Sequence, residues 1–468
     1  MLRNILPPPY FRLSSLWLRG LLAVLLLANA PTVFGQSAIY GLVNVYRTTT
    51  AIPATSNSPA IPSYPKGTQT LVAIDPSTGN IFGQGNTSLP PFLGPISSIT
   101  SGQILVGIDV RPSNGALYGL GYDTLTSATQ LYRLTPLYVS GYPTVVSGAS
   151  ATAVGNAFML PLGNSSPAAT SKRIGFDFNP AADLIRVVSA NGSNYRLNPN
   201  TGSLVSADTR LNYVNTPVAT PVATVTGPAS NAPATGTGIG SVAYTNSRFE
   251  SASTVLYDYD ELDRGILSIQ SPPNEGLLTS PIAASFFIAN SSSGQGPYII
   301  TPKLVALDID FFYSNSNNLD VAYLLEVTGD QPYGYHASNL YSLNVSTNLA
   351  TRIGNLFASP PSPPSDPRLN NVYSLDVIDI AAAIEAPLIW SGFVSDEWTN
   401  PQNGVPNRLP TSSDNVLIPG TYTPGNPLNT STFPGTTPAP NQPVVRVAGQ
   451  VARSIRLNTL ATRTTGWL

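Results

Sequence analysis

The 468 residues include no cysteine. That excludes disulfides, thiol nucleophiles, cysteine-ligated zinc and lipidation at an N-terminal cysteine. Charge is also scarce: Asp, Glu, Lys and Arg make up 10% of the chain, against about 25% in an ordinary globular domain. With a net charge of −2, long-range attraction favours neither nucleic acid nor an anionic membrane. The single histidine, His336, cannot build a multi-histidine metal site, and a Ser-His-Asp triad would have to use it. It reads as an exposed residue of an inserted loop. Phosphate-binding loops, zinc-binding helices and nucleophile elbows are missing as well. No apolar run beyond residue 35 is long enough to cross a bilayer, which takes about 20 residues.

What the chain does have points outward from the cell. Arg3, Arg12 and Arg19 precede the apolar run from Leu21 to Ala28, and Val33-Phe34-Gly35 before Gln36 reads as a cleavage site. This predicts a signal peptide over 1–35 and a mature protein that is secreted or at the cell surface, without an integral membrane segment after cleavage. An uncleaved N-terminal anchor is the alternative. The chain is long enough to bury a core without disulfide staples. Its 38 Gly, 45 Pro and 22 Tyr, with abundant Ser, Thr and Asn, disfavour long helices and suit short strands joined by turns.

A repeat of about 66 residues organises the chain. Each unit opens on a strand: Gly107-Ile108-Asp109-Val110-Arg111-Pro112, Gly175-Phe176-Asp177-Phe178-Asn179-Pro180, Gly240-Ser241-Val242-Ala243, Ala306-Leu307-Asp308-Ile309 and Ser374-Leu375-Asp376-Val377. In this register positions 109, 177, 242, 308 and 376 lie 68, 65, 66 and 68 residues apart. Second and third strands follow, then a turn such as Pro76-Ser77-Thr78-Gly79 or Pro199-Asn200-Thr201-Gly202, and a short fourth strand. Four antiparallel strands per unit make the blade of a β-propeller. The first unit (38–90) lacks an opening strand and the last (373–380) is only an opening strand, so 373–380 is expected to complete the first blade and close a ring. Five blades follow from that count. Six stays open, because 46–68, 141–171 and 212–237 are long enough to hide strands, and an open solenoid is the structural alternative.

The segments at 107–112 and 175–180, with Ile185-Arg186-Val187-Val188 and Tyr195-Arg196-Leu197-Asn198-Pro199-Asn200-Thr201-Gly202, resemble the DUF4394 family of exported bacterial proteins. The resemblance covers roughly 38–384 and implies a propeller and export, but no catalytic residue, since the family's function is unknown. The expected domains are therefore a signal peptide (1–35), a propeller (36–384) and a C-terminal segment (385–468). In that last segment Trp390-Ser391-Gly392, Trp398, Asn415-Val416-Leu417-Ile418-Pro419 and Pro443-Val444-Val445 resemble β-rich modules of large Bacteroidetes surface proteins. That likeness implies a β-helix-like or sandwich module that is truncated at Leu468.

Two groups of carboxylates stand out. Asp109, Asp177, Asp308 and Asp376 recur at one place in four repeats, so a closed ring would bring them to like radial positions. There they would either ring a channel and bind a ligand or cation, or accept backbone N–H groups inside their own blades. Asp258, Asp260 and Asp263 crowd into six residues and would suit Ca²⁺, or else form a solvated turn. Tyr122, Tyr138, Tyr142, Tyr313 and Tyr335 are candidates for stacking on sugars, or for packing at the rim of the strands. The resulting expectation is a non-enzymatic scaffold that binds an extracellular glycan or protein through its loops, without a cofactor unless Ca²⁺. A polysaccharide hydrolase or lyase using channel carboxylates is the alternative.

Overall fold

The computed structural model describes residues 38–458 apart from 54–59, 61, 84–93, 140–141, 164–173, 214–237, 249–250, 261–265, 283–303, 315–317, 330–335, 358–370, 372–373, 384–387, 391–394, 401–403, 406–414 and 420–453. The chain divides into Met1–Gly35 and Gln36–Leu468. The expected signal peptide lies outside the described residues. Among the described residues no helix is long and apolar enough to cross a membrane.

Strands dominate, arranged as a five-bladed β-propeller. The first blade pairs β1 (Ile39–Val45) with β2 (Gln69–Ile74) on one side and with β20 (Leu375–Ala382) on the other, both antiparallel. Thus the last propeller strand enters the first blade, as the incomplete end units require, and covers an edge that would otherwise be free to pair with another chain. The second blade is β3 (Ile104–Val110), β4 (Leu117–Tyr122), β5 (Ala128–Val139) and β6 (Tyr142–Met159) in sequence order. The third is β7 (Ile174–Asn179), β8 (Leu184–Ser189), β9 (Asn194–Leu197) and β10 (Leu204–Ala207).

The fourth blade runs β12 (Ile239–Tyr244), β13 (Leu256–Asp260), β14 (Ile266–Gln270), β15 (Leu277–Ile282), with the two-residue β11 (Asn212–Tyr213) added parallel to β15. The fifth is β16 (Leu304–Ser314), β17 (Leu319–Thr328), β18 (Ala337–Asn344) and β19 (Leu349–Phe357). Two blades depart from four strands: the first has three named strands plus an Ile74–Ile81 bridge, and the fourth has five. The stretch at 141–171 holds β6, which is the outer strand of the second blade and not a further blade.

The opening strands β20, β3, β7, β12 and β16 neighbour one another in a closed cycle. Blade faces pack against each other through apolar clusters, such as Val106, Leu120, Phe176, Phe178, Ile185 and Val187 between the second and third blades. Burial on both faces is why these strands are apolar runs without polar alternation. Beyond the ring, β21 (Leu388–Trp390), β22 (Gly404–Val405), β23 (Asn415–Pro419) and β24 (Ser454–Asn458) form a mixed sheet in the order β22-β21-β23-β24, with β21–β23 and β23–β24 parallel.

Candidate functional site

The inner edge of each blade leaves backbone N–H groups of its opening strand without a strand partner, and a buried N–H needs an acceptor. Side chains of the preceding blade supply it at all five seams. Asp379 accepts from Ile108 N–H. Asp109 accepts from Phe178 N–H at 2.7 Å and from its own neighbour Val110 at 2.6 Å. Asp177 accepts from Tyr244 N–H at 3.0 Å. Ser241 Oγ accepts from Ile309 N–H at 2.9 Å and donates to Asp308 at 2.8 Å. Asp308 accepts from Ile380 N–H at 2.9 Å and Asp310 from Ala382 N–H at 2.6 Å.

These bonds set a register that differs from the one read off the repeats. Each acceptor meets the N–H one position further along the next opening strand. That rule makes Asp109, Asp177 and Asp310 equivalent, with Ala243 and Ala381 completing their layer. Asp308, Asp379 and Ser241 form a second layer with Gly107 and Gly175. The glycines obey the same offset: a Cβ on Gly107 would meet Phe176 and one on Gly175 would meet Val242. Asp308 is therefore two residues out of step with Asp109 and Asp177, and Asp376 belongs to neither layer. On the closing strand the place equivalent to Asp308 is taken by Asp379, three positions after Asp376, an offset the sequence motif cannot reveal.

Asp109, Asp177 and Asp310 are buried and offer one oxygen each within 4.8 Å of one another, a separation that one cation could bridge. Burial pushes the Asp109 carboxyl up to about 8, with Asp308 adding to the rise against its two N–H donors. Burial, then the charges of Asp109 and Asp310, hold Asp177 well above the usual carboxylate range. Asp310 is raised likewise by burial and by Asp109. Like charges this close cannot all ionise, so the cluster retains protons.

Asp376 points to the closure seam. Its Oδ2 lies 2.7 Å from His336 Nδ1, and the His336 ring stacks on Tyr46 with centroids 3.8 Å apart. Burial raises Asp376, and His336 opposes that rise. His336 is thus not the exposed loop residue expected: its side chain is 17% exposed and clasps the fifth blade to the first. Asp258 and Asp260 are buried on β13, not in a solvated turn. Asp260 accepts from the Tyr213 hydroxyl at 2.7 Å, and Asp263 lies outside the described residues. Asp258 is fully buried with neither oxygen hydrogen-bonded, opposite an equally unpartnered Ser268 hydroxyl; burial pushes it up to about 8. Of the tyrosines, Tyr122 and Tyr313 are buried, Tyr138 is half exposed and bonded to Tyr40, and Tyr142 and Tyr335 lie where side chains are not described.

A guanidinium cluster that the sequence reading missed lies between the third and fourth blades. Arg186, fully buried on β8, donates from Nε to Tyr244, from Nη1 to Asn194 and Asp208, and from Nη2 to Asn274. Burial works against its charge, but Tyr244 and Asp208 outweigh that and hold it above its ordinary value. Arg196 grips the same Asp208 through Nε and Nη2 at 2.8 and 2.9 Å. Burial pushes Asp208 up, but Arg196, Ser206 and Arg186 together hold it below its ordinary value. A cleft of about 170 Å³ opens beside this cluster, lined by Asn179, Arg186, Arg196, Tyr244, Pro273 and Asn274 among others. The missed signal was an arginine in the middle of the apolar strand Leu184–Ser189, where only a partnered charge is tolerated.

Fold and site together define a closed five-bladed propeller whose blades are stapled by side chains around the axis. The chain matches DUF4394, a domain of unknown function, over residues 80–362, and it belongs to that family. No curated protein matches the sequence. Among solved structures, glutaminyl cyclase of Myxococcus xanthus is 11% identical, with 65% of this chain and 95% of that chain covered and a TM-score of 0.30. An N-acetylgalactosamine deacetylase from F. plautii, solved with blood group B trisaccharide, is 11% identical, with 60% and 78% covered and a TM-score of 0.27. Likenesses this distant carry no inference about activity.

Proposed function

We propose that the chain is an exported, non-enzymatic binding protein: a propeller platform that holds an extracellular glycan or protein on its loops, with the β-rich segment after residue 384 as a stalk. One observation carries the reading. The ring carboxylates are committed to backbone N–H groups of neighbouring blades, and an acid or base already satisfied in this way is poorly placed to exchange protons with a substrate. Burial and mutual repulsion keep protons on these carboxylates against their N–H donors, and a proton does there what a resident cation would otherwise do.

The test is incubation of the purified protein with a panel of extracellular polysaccharides and surface proteins, reading retention and polymer length separately. Saturable retention with unchanged polymer length is expected. Shortening of any polymer that disappears in a folded Asp177→Asn variant would replace this reading with the hydrolase or lyase alternative. Melting that is unmoved by Ca²⁺ or by excess chelator is also expected; a rise in Tm with Ca²⁺, abolished in Asp177→Asn, would put a cation in the ring.

A further inference from the structure

The cleft beside Arg186 and Arg196 has the chemistry of a built subsite. Arg196 spends only its Nε/Nη2 edge on Asp208. A guanidinium has five donors, so among the described residues its Nη1/Nη2 edge, the fork that matches a planar carboxylate in bidentate fashion, is unspent. Its side chain is 27% exposed at the cleft while that of Asp208 is 3% exposed behind it. Arg186 has used four of its donors and is rigidly held by Tyr244, Asn194, Asp208 and Asn274. Two guanidiniums share one carboxylate, which leaves one positive charge unbalanced. Asp258 makes no hydrogen bond to either guanidinium, and its burial disfavours the charged form that would offset Arg186.

Around this charge stand Asn179, Asn274 and Tyr244; their oxygens already accept from Ala181, Ala182 and Arg186, so what they offer the hydroxyls of a sugar is N–H and O–H donors. The volume, about 170 Å³, is below the ~300 Å³ at which drug-sized pockets begin, so it takes one ring and not a stretch of polymer. We propose that this cleft is a subsite for a single uronic acid unit of an acidic polysaccharide, its carboxylate on Arg196 and its hydroxyls on the asparagines. This rests on the binding-protein reading above and names its ligand.

The experiment is ligand-observed NMR on the propeller-containing chain with D-galacturonate, D-galactose and N-acetylglycine as probes. Saturable binding of galacturonate is expected, weakening as salt is raised, with galactose much weaker. Arg196→Gln should lower the affinity about tenfold or more. Arg196→Lys, which keeps the charge and loses the fork, should also lower it, so the test survives if one variant fails to fold. Absence of galacturonate binding, equal binding of galactose, or binding unchanged in both variants would overturn the proposal. Equal or tighter binding of N-acetylglycine would overturn it in favour of a peptide carboxylate. If the protein still retains a neutral glycan or a protein in the panel, only the subsite falls; if it retains nothing, the broader reading falls with it.

Discussion

Single residues in this propeller do work that their types alone would not reveal. Asp258 is an example: a carboxylate with no partner, buried on a strand face. Its folded value of about 8 stands above the ordinary 3.8, so between those limits the folded protein holds a proton that the unfolded chain releases. Stability therefore falls as pH rises through that window, by at most about 1.4 kcal/mol per pH unit for each such group. Asp258→Asn removes one of these groups. Its unfolding free energy should decline less steeply with pH than wild type by about one proton, read from denaturant melts between about pH 5 and 7. An unchanged slope would mean that Asp258 is already ionised in the fold. Asp177 is governed by the same balance, but its Tyr244 N–H bond can be kept by an amide oxygen. Asp177→Asn is expected to fold with stability at or above wild type at neutral pH. Asp177→Ala leaves that N–H unmet and should lose about 1–3 kcal/mol.

At the scale of elements, turns of one blade lean on the outer strand of its neighbour. The Pro76–Gly79 turn meets Gly354 of β19, and the Pro199–Gly202 turn meets Gly155 of β6. A Cβ on Gly354 would lie 2.2 Å from Thr78 O, and one on Gly155 would lie 1.8 Å from Thr201 O. Gly155 also has φ +68°, where a side chain is strained. Gly354→Ala and Gly155→Ala should each destabilise by about 1–3 kcal/mol through overpacking against backbone, seen as a lower denaturant midpoint. The turn sequences are plain in the chain. Their docking partners are not, because a glycine in an outer strand gives no sign of which turn lies against it.

For the whole molecule, the closing strand decides whether the ring exists. β20 pairs with β1 and also donates the N–H groups of Ile380 and Ala382 to Asp308 and Asp310. A chain ending at residue 384 should keep a cooperative thermal transition and run as a compact species. One ending at residue 374 exposes the β1 edge, takes one N–H donor from each of Asp308 and Asp310 and leaves Ile108 N–H without Asp379, so it should lose cooperativity and aggregate. If both chains melt alike, ring closure is dispensable.

The sequence by itself determined the all-β class, the blade as the repeating unit and the closure by 373–380, because these depend on local strand and turn patterns and on complementary ends. It also marked Asp109 and Asp177, which stand in the two clearest repeats. Only the tertiary structure decided the register of the ring. Asp310 sits two residues after Asp308, on the same face of its strand, yet nothing local tells which of the two joins Asp109; the contact with the next blade does. The pairing of Asp376 with His336, and the meeting of Arg186 with Asn274 across a seam, depend likewise on residues 40 and 88 positions apart. What the ring does at its axis is a property of neighbouring blades, and no single repeat encodes its neighbour.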